Sequence, residues 1–320
     1  MSPTSAGAAE AGRGHEPLTA HYAPAEPVDL VSTLAPLRRG PHDPCIRVAP
    51  EGLWVVLDTP GGSASLLLRG MRGAVTAQAW GDGAAVALDE LPILLGSGDD
   101  WSELDLSPSP LLGEVRRRRP GLRLVRSSRV LGALVPAVIE QRVTSVEAHR
   151  AWRTLVTRFG APAPGPAPES MRVPPSPETW RRIPSWDWHR AGVDPGRSAT
   201  VVRAAVVAAG LERTLSGAGA GGGPDVWRRL RTVPGVGEWT AAETAQRSHG
   251  DPDAVSFGDY HLASLVGTAL VGEPLDDDGL AELLEPWAGQ RQRVVRLALA
   301  SGVSVPRRGA RITIQDHRSH

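Results

Sequence analysis

The sequence predicts an α+β protein in which a small antiparallel β-rich unit leads into a larger all-helical one. Three observations carry this. Between Val28 and Leu95, short alternating apolar runs are separated by Gly and Asp turn signals. After Asp105 that pattern gives way to apolar residues at helical spacing, segment after segment. The charge changes at the same place: residues 1–106 hold 6 Arg against 14 Asp and Glu, residues 107–320 hold 29 against 21. A chain of 320 residues is long enough for about two domains.

Taken in order, residues 1–26 are rich in Ala, Gly, Pro and Glu and are expected to be a disordered tail. The β-rich domain is expected over 27–106, with strands in 46–59, 63–70 and 74–80 and a helix in 87–96. The helical domain is expected over 107–305, with eight to ten helices. Apolar periodicity places them in 128–143, 145–160, 176–183, 196–215, 225–233, 238–250, 259–270, 278–289 and 291–302. Ser145 is the expected N-cap and Gly160 the expected stop of the second of these. The Pro-rich stretch 161–177 reads as a loop, 216–224 as a flexible spacer, and 306–320 as a basic tail. No solenoid-type repeat is present.

Composition excludes several chemistries. The chain has no lysine, so all 35 basic residues are arginine, and neither a Schiff-base lysine nor a P-loop lysine exists. Cys45 is the single cysteine, which rules out a disulfide framework and a cysteine-built zinc or iron–sulfur site. The nine histidines show no HExxH-type spacing, so no metal site is expected. No apolar run is long enough for a membrane span, and residues 1–20 lack the apolar core of a secretory signal. A cytoplasmic, nucleoid-associated protein is the expectation. Within 107–250 there are 22 Arg against 11 acids, an electrostatic footprint for a polyanion, although mild basicity is also common without function.

The most informative stretch is Leu230–Ala242. A helix ends, Val233-Pro234-Gly235-Val236-Gly237 turns the chain, and a second helix opens with Glu238-Trp239-Thr240. Glycines permit backbone angles closed to other residues. Bare N–H groups at a helix start form a phosphate seat that positions DNA without reading sequence. An ordinary helix–turn–helix corner is the alternative.

This stretch resembles the helix–hairpin–helix motif of the HhH-GPD superfamily of DNA glycosylases. In that family the hairpin is followed by a Gly/Pro-rich loop and an aspartate. Here the loop is Gly250–Gly258 and the aspartate is Asp259, 20 residues after Trp239, as in the 3-methyladenine DNA glycosylase II branch. Arg119–Leu124, Val138–Thr144 and Trp287–Arg291 are similar to further segments of that branch, so the resemblance covers about 107–302.

The resemblance implies a monofunctional DNA glycosylase acting on double-stranded DNA in base excision repair. It would hydrolyse the N-glycosidic bond of alkylated purines such as 3-methyladenine and 7-methylguanine. Asp259 would be catalytic, and it equally suits a helix N-cap. Trp239, Glu243 and Tyr260 would line the base pocket, with a core role as the alternative for Trp239. Glu243 stands where the branch has an aromatic, and an aliphatic near Leu299 replaces a second one. Glu243 could favour a cationic base, act as a second carboxylate, or face solvent. Val233, Gly235, Val236, Gly237, Thr240 and Arg291 would contact DNA. Gln141 and Arg142 would fill the gap left by the flipped base, or form an exposed pair at a helix end. Trp186–His189 reads as packing between helices. No cofactor is implied beyond a monovalent cation compatible with the hairpin, and a monomer is expected. The rival readings are the same fold acting on another damaged or mismatched base, and an inactive DNA-binding relative.

Overall fold

The computed structural model describes residues 16–71, 73–217 and 221–304. Five strands form one antiparallel sheet: β1 (Leu18–Tyr22), β2 (Ile46–Ala49), β3 (Gly52–Thr59), β4 (Gly62–Met71) and β5 (Ala74–Trp80), in the order β1-β5-β4-β3-β2. Short helices α1 (Leu30–Leu34), α2 (Ala84–Asp89) and α3 (Leu91–Leu94) accompany it, Pro92 opening the third. Residues 18–22 pair along their length with Val75–Ala79, so the expected tail over 1–26 is a strand at this point. Its low hydrophobicity hid it, because an edge strand draws its order from its neighbour. Residues 1–15 and the expected basic tail 306–320 lie outside the described residues.

Twelve α-helices follow among the described residues, more and shorter than expected. They are α4 (Pro110–Arg118), α5 (Val130–Ile139), α6 (Ser145–Phe159), α7 (Pro177–Arg182), α8 (Ser185–Ala191), α9 (Pro195–Val206), α10 (Ala208–Glu212), α11 (Pro224–Leu230), α12 (Glu238–Ser248), α13 (Leu262–Val271), α14 (Asp277–Leu284) and α15 (Arg291–Ala300). Helix α6 is capped by Thr144 rather than Ser145. Thr144 Oγ1 accepts from Glu147 N–H while Glu147 Oε2 accepts from Thr144 N–H, a reciprocal capping box. Helix α5 is buried all round except at Gly132. Its first amides donate to Glu212, Val130 to Oε2 and Leu131 to Oε1, both at 2.9 Å.

The proline-rich stretch is a packed cover. Two-residue strands β6 (Ala161–Pro162) and β7 (Arg172–Val173) pair within it. Fully buried Met171 and Val173 pack with Trp54, Val56, Leu67 and Trp80 on the outer sheet face. Gly165 lies so close to Trp80 that a Cβ there would sit 2.4 Å from the ring.

The inner sheet face continues into the helices. Leu53, Val55, Leu66, Leu68 and Ala77 share one apolar core with α5, α6 and α12, so the expected boundary at residue 106 does not separate two cores. In this core Trp180 stacks between Trp152 and Trp188 at centroid distances of 6.2 and 5.7 Å. Trp188 thus packs as expected, while Trp186 is exposed. A second core joins α4 to α13, α14 and α15 through Leu112, Val115, Val266, Leu284 and Leu297. The chain therefore visits the second core around α4, leaves it, and returns at Val255.

Candidate active site

The return crossing places Asp259 between α12 and α13. Asp259 Oδ1 accepts from His261 N–H at 2.9 Å and Leu262 N–H at 3.0 Å, which caps α13. Asp259 Oδ2 is turned to the half-buried Trp239, whose Nε1 lies 3.4 Å away. The two carboxylate oxygens are thus divided: one orients the side chain and the other stands beside the indole.

The loop before Asp259 is tied down on two sides. Asp251 accepts from Gly223 N–H (2.6 Å) and Trp227 Nε1 (2.8 Å), and burial raises its pKa. The end of the expected flexible spacer is therefore fastened at Gly223, while Ala218–Ala220 lie outside the described residues. Asp253 accepts from Gly289 N–H and Arg291 N–H and forms a bidentate pair with the Arg291 guanidinium at 2.7 and 2.5 Å. Arg291 was expected on DNA; its guanidinium is instead spent on this clamp, which also raises its pKa. Sequence reasoning missed Asp251 and Asp253, although Asp-Pro-Asp after Gly250 is a turn pattern whose side chains seek backbone amides.

Of the two hairpin glycines only Gly235 needs its special conformation. It has φ +97°, and a Cβ would meet Thr200 Oγ1 at 2.0 Å. Gly237 has φ −89° and open space around a built Cβ. It brings no capping side chain to α12, and the first amide bonded back to it is Ala241 N–H. Val233 and Val236 bury their side chains in the first core, so only their backbone can serve a ligand. Thr240 is also buried, and its Oγ1 accepts from Gln141 Nε2 at 2.8 Å. Gln141 Nε2 donates as well to Gly235 O at 3.0 Å. Half-buried Gln141 and buried Thr240 are thus a strut joining the end of α5 to the hairpin. Arg142 alone projects, exposed, from a left-handed backbone with φ +56°. Exposed Arg203 on α9 and Arg231 flank the turn; neither was singled out from sequence, because isolated arginines carry no pattern.

The structure rejects the solvent-facing alternative for Glu243. The side chain is buried; Oε1 accepts from Ser256 Oγ at 2.5 Å and Oε2 pairs with Arg247 Nη1 at 2.7 Å. Arg247 Nε donates on to Pro36 O at 2.8 Å. Nearby Arg39 is buried and pairs with Glu140 at 3.2 Å, burial lowering its pKa against the pull of Glu140 and Glu243. Tyr260, by contrast, is 83% exposed, its ring edge-on to His261.

A hollow of about 480 Å³ between Tyr22 and Trp101 lies apart from these residues. Among the described residues no group of three His, Cys, Asp or Glu could hold a metal, and no helix is long and apolar enough to cross a membrane.

No family model matches the sequence, and no curated protein matches it. Solved structures do. The 3-methyladenine DNA glycosylase from Archaeoglobus fulgidus superposes with a TM-score of 0.72 at 15% identity, over 88% of this chain and 98% of that one. The 8-oxoguanine glycosylase/lyase of Clostridium acetobutylicum in its apo form gives 0.68 at 11%, over 90% and 97%. The same enzyme with double-stranded DNA carrying cytosine opposite 8-oxoguanine gives 0.63 at 13%, over 85% and 91%. The chain has the α+β fold of these DNA glycosylases, N-terminal antiparallel sheet included.

Proposed function

We propose that the chain is a monofunctional DNA glycosylase that hydrolyses the N-glycosidic bond of alkylated purines in double-stranded DNA. The observation that carries this reading is the divided carboxylate of Asp259, one oxygen capping α13 and the other 3.4 Å from Trp239 Nε1. The phosphate backbone rests on the amides of Gly235, Gly237, Glu238 and Trp239, the Val236 N–H being held by Val233 O, with Arg203 and Arg231 beside them. Arg142 enters the gap left by the flipped nucleotide. The base stacks on Trp239, with Glu243 one helical turn further along the same face.

As the C1′–N bond breaks, its electron pair leaves with the base and the sugar becomes oxocarbenium-like. The Asp259 carboxylate opposes that charge and orients water, whose oxygen bonds to C1′ while its proton passes to Asp259 or solvent. A cationic N-alkylpurine leaves as a neutral base, so one carboxylate is enough. With no lysine in the chain and arginine permanently protonated, water is the nucleophile and the product strand stays intact.

Single-turnover release of methylated bases from a dimethyl-sulfate-treated duplex tests this reading. Asp259→Asn is expected to reduce the rate roughly 10²–10³-fold, in the range of losing one preorganised charge-stabilising group. Folding and duplex binding should persist, because Asn also caps helices. Borohydride added during turnover should trap no adduct. Wild-type rates in Asp259→Asn, or a robust trapped adduct, overturn the mechanism.

A further inference from the structure

The stripe of α12 that presents Trp239 also grips the loop that carries Asp259. Trp239, Glu243 and Gln246 recur at i, i+4 and i+7 along the helix. Glu243 and Gln246 both reach across to the buried side chain of Ser256. Ser256 Oγ donates to Glu243 Oε1 at 2.5 Å and accepts from Gln246 Nε2 at 2.6 Å. Gln246 Nε2 donates as well to Ala254 O at 2.8 Å. The direction of the chain of bonds is therefore fixed: Gln246 gives to Ser256, and Ser256 gives its only hydroxyl hydrogen to a carboxylate. A hydrogen bond to an ionised group away from water is short and strong.

Ser256 passes this hold to Asp259 through the backbone. Its carbonyl accepts from Asp259 N–H at 3.2 Å, which closes the turn Ser256-Phe257-Gly258-Asp259. Gly258, third in that turn, has φ +86°, the left-handed conformation a type II turn requires there. Asp259 ends the turn and at once caps α13 through Oδ1. The carboxylate is thus fixed from both sides, by the amides of α13 after it and by α12 side chains, acting through Ser256, before it. Trp239 and Asp259 are referenced to the same helix, which accounts for Oδ2 standing 3.4 Å from the indole nitrogen.

We propose that Ser256 is a positioning residue: gripped by Glu243 and Gln246, it sets the turn that aims Asp259 Oδ2 at the charge developing on C1′. Ser256 touches no substrate in this account and acts only through Asp259. The proposal rests on the glycosylase reading above and deepens it.

Two duplexes separate aim from fold, one carrying a neutral tetrahydrofuran abasic-site analogue and one a cationic pyrrolidine in its place. A carboxylate held beside C1′ favours the cation as it favours the oxocarbenium-like transition state. Wild type is expected to bind the pyrrolidine duplex about 10-fold or more tightly, as for a transition-state mimic. Ser256→Ala should lose most of that preference while binding the tetrahydrofuran duplex as wild type does. Its single-turnover release of methylated bases, at saturating enzyme, should fall about 10- to 100-fold, the cost of a misplacement near 1 Å. Gln246→Met cuts the other bond to the same hydroxyl and should move both readings in the same direction. It replaces Ser256→Ala if thermal melting shows that variant unfolded. A cationic preference kept in full by the folded variant, or an unchanged release rate, overturns the positioning role and leaves the glycosylase reading intact. If wild type neither releases methylated bases nor prefers the cation, both fall together.

Discussion

The two ends of α12 are built on opposite plans. Its N-terminal end is an open turn: Gly235 and Gly237 are exposed, no side chain caps the helix, and backbone amides are offered to solvent beside the exposed side chains of Arg203, Arg231 and Glu238. Its C-terminal half is crowded with buried polar side chains. Glu243 pairs with Arg247, Ser248 Oγ approaches His249 Nδ1 at 2.7 Å, and His249 Nε2 lies 3.0 Å from Thr214 Oγ1. One end is shaped to take up hydrogen bonds from outside the molecule, while the other satisfies nearly all of its own. Substitutions should therefore cost binding at the first end and stability at the second, and three experiments can break or sharpen that contrast.

The largest effect is expected at Glu243. Glu243→Ala leaves Arg247 buried beside Arg39 with no carboxylate and strips Ser256 of its acceptor. Breaking one partner of a buried pair costs about 3–5 kcal/mol, visible as a shift of the urea midpoint. A shift within experimental error would show that the pair is solvated and the contrast wrong.

The next concerns acid. Burial lowers the His249 pKa from 6.5 to about 4. The unfolded chain therefore binds a proton that the native one refuses, and the stability from this group is present above pH 6.5 and lost as pH falls toward 4. The full amount is about 3 kcal/mol. Buried Asp43, Glu212 and Asp251 have raised pKa values and act in the opposite sense, so the useful quantity is the difference between wild type and His249→Gln. That difference should change steadily between pH 6.5 and 4 and be flat above pH 7; a difference independent of pH removes His249 from the account.

The smallest effects separate the two glycines. Gly235→Ala forces a Cβ against Thr200 at a positive φ and should destabilise the fold by about 1–2 kcal/mol from the backbone alone. Gly237→Val has room in the protein and should leave the melting temperature nearly unchanged. It should weaken damaged and undamaged duplex binding by the same factor, as for a backbone contact. A loss confined to damaged DNA would move the hairpin into lesion recognition.

These contrasts follow what was legible in the sequence. The hairpin was legible because its defining residues fall within a dozen positions, and Asp259 because a fixed loop length links it to them. Helices α5, α6, α12 and α15 were visible from apolar spacing. The capping box of α6 was also readable, since Thr144 has Glu147 three residues on and Ser145 has no such partner. The contacts of the buried arginines were not legible: Glu243 meets Ser256 close in sequence, but Arg247 and Arg296 end on carbonyls of residues 36 and 32, more than 200 positions away. An arginine bound to a distant backbone carbonyl looks, in one dimension, like any solvated arginine. Arg291 shows the same blindness in reverse, a cation expected on DNA that closes an internal clamp.

The double visit to the second core sets an order of assembly. During synthesis α4 emerges well before the helices that cover it, since α13, α14 and α15 are the last helices of the described chain. Leu112 and Val115 must wait, uncovered, for more than a hundred residues. The exposed Arg117, Arg118 and Arg119 at the end of α4 keep that waiting segment charged, which opposes aggregation until Leu297 arrives to close it. The loop holding Asp259 sits on this late junction, so its final position is set only when the last helix docks.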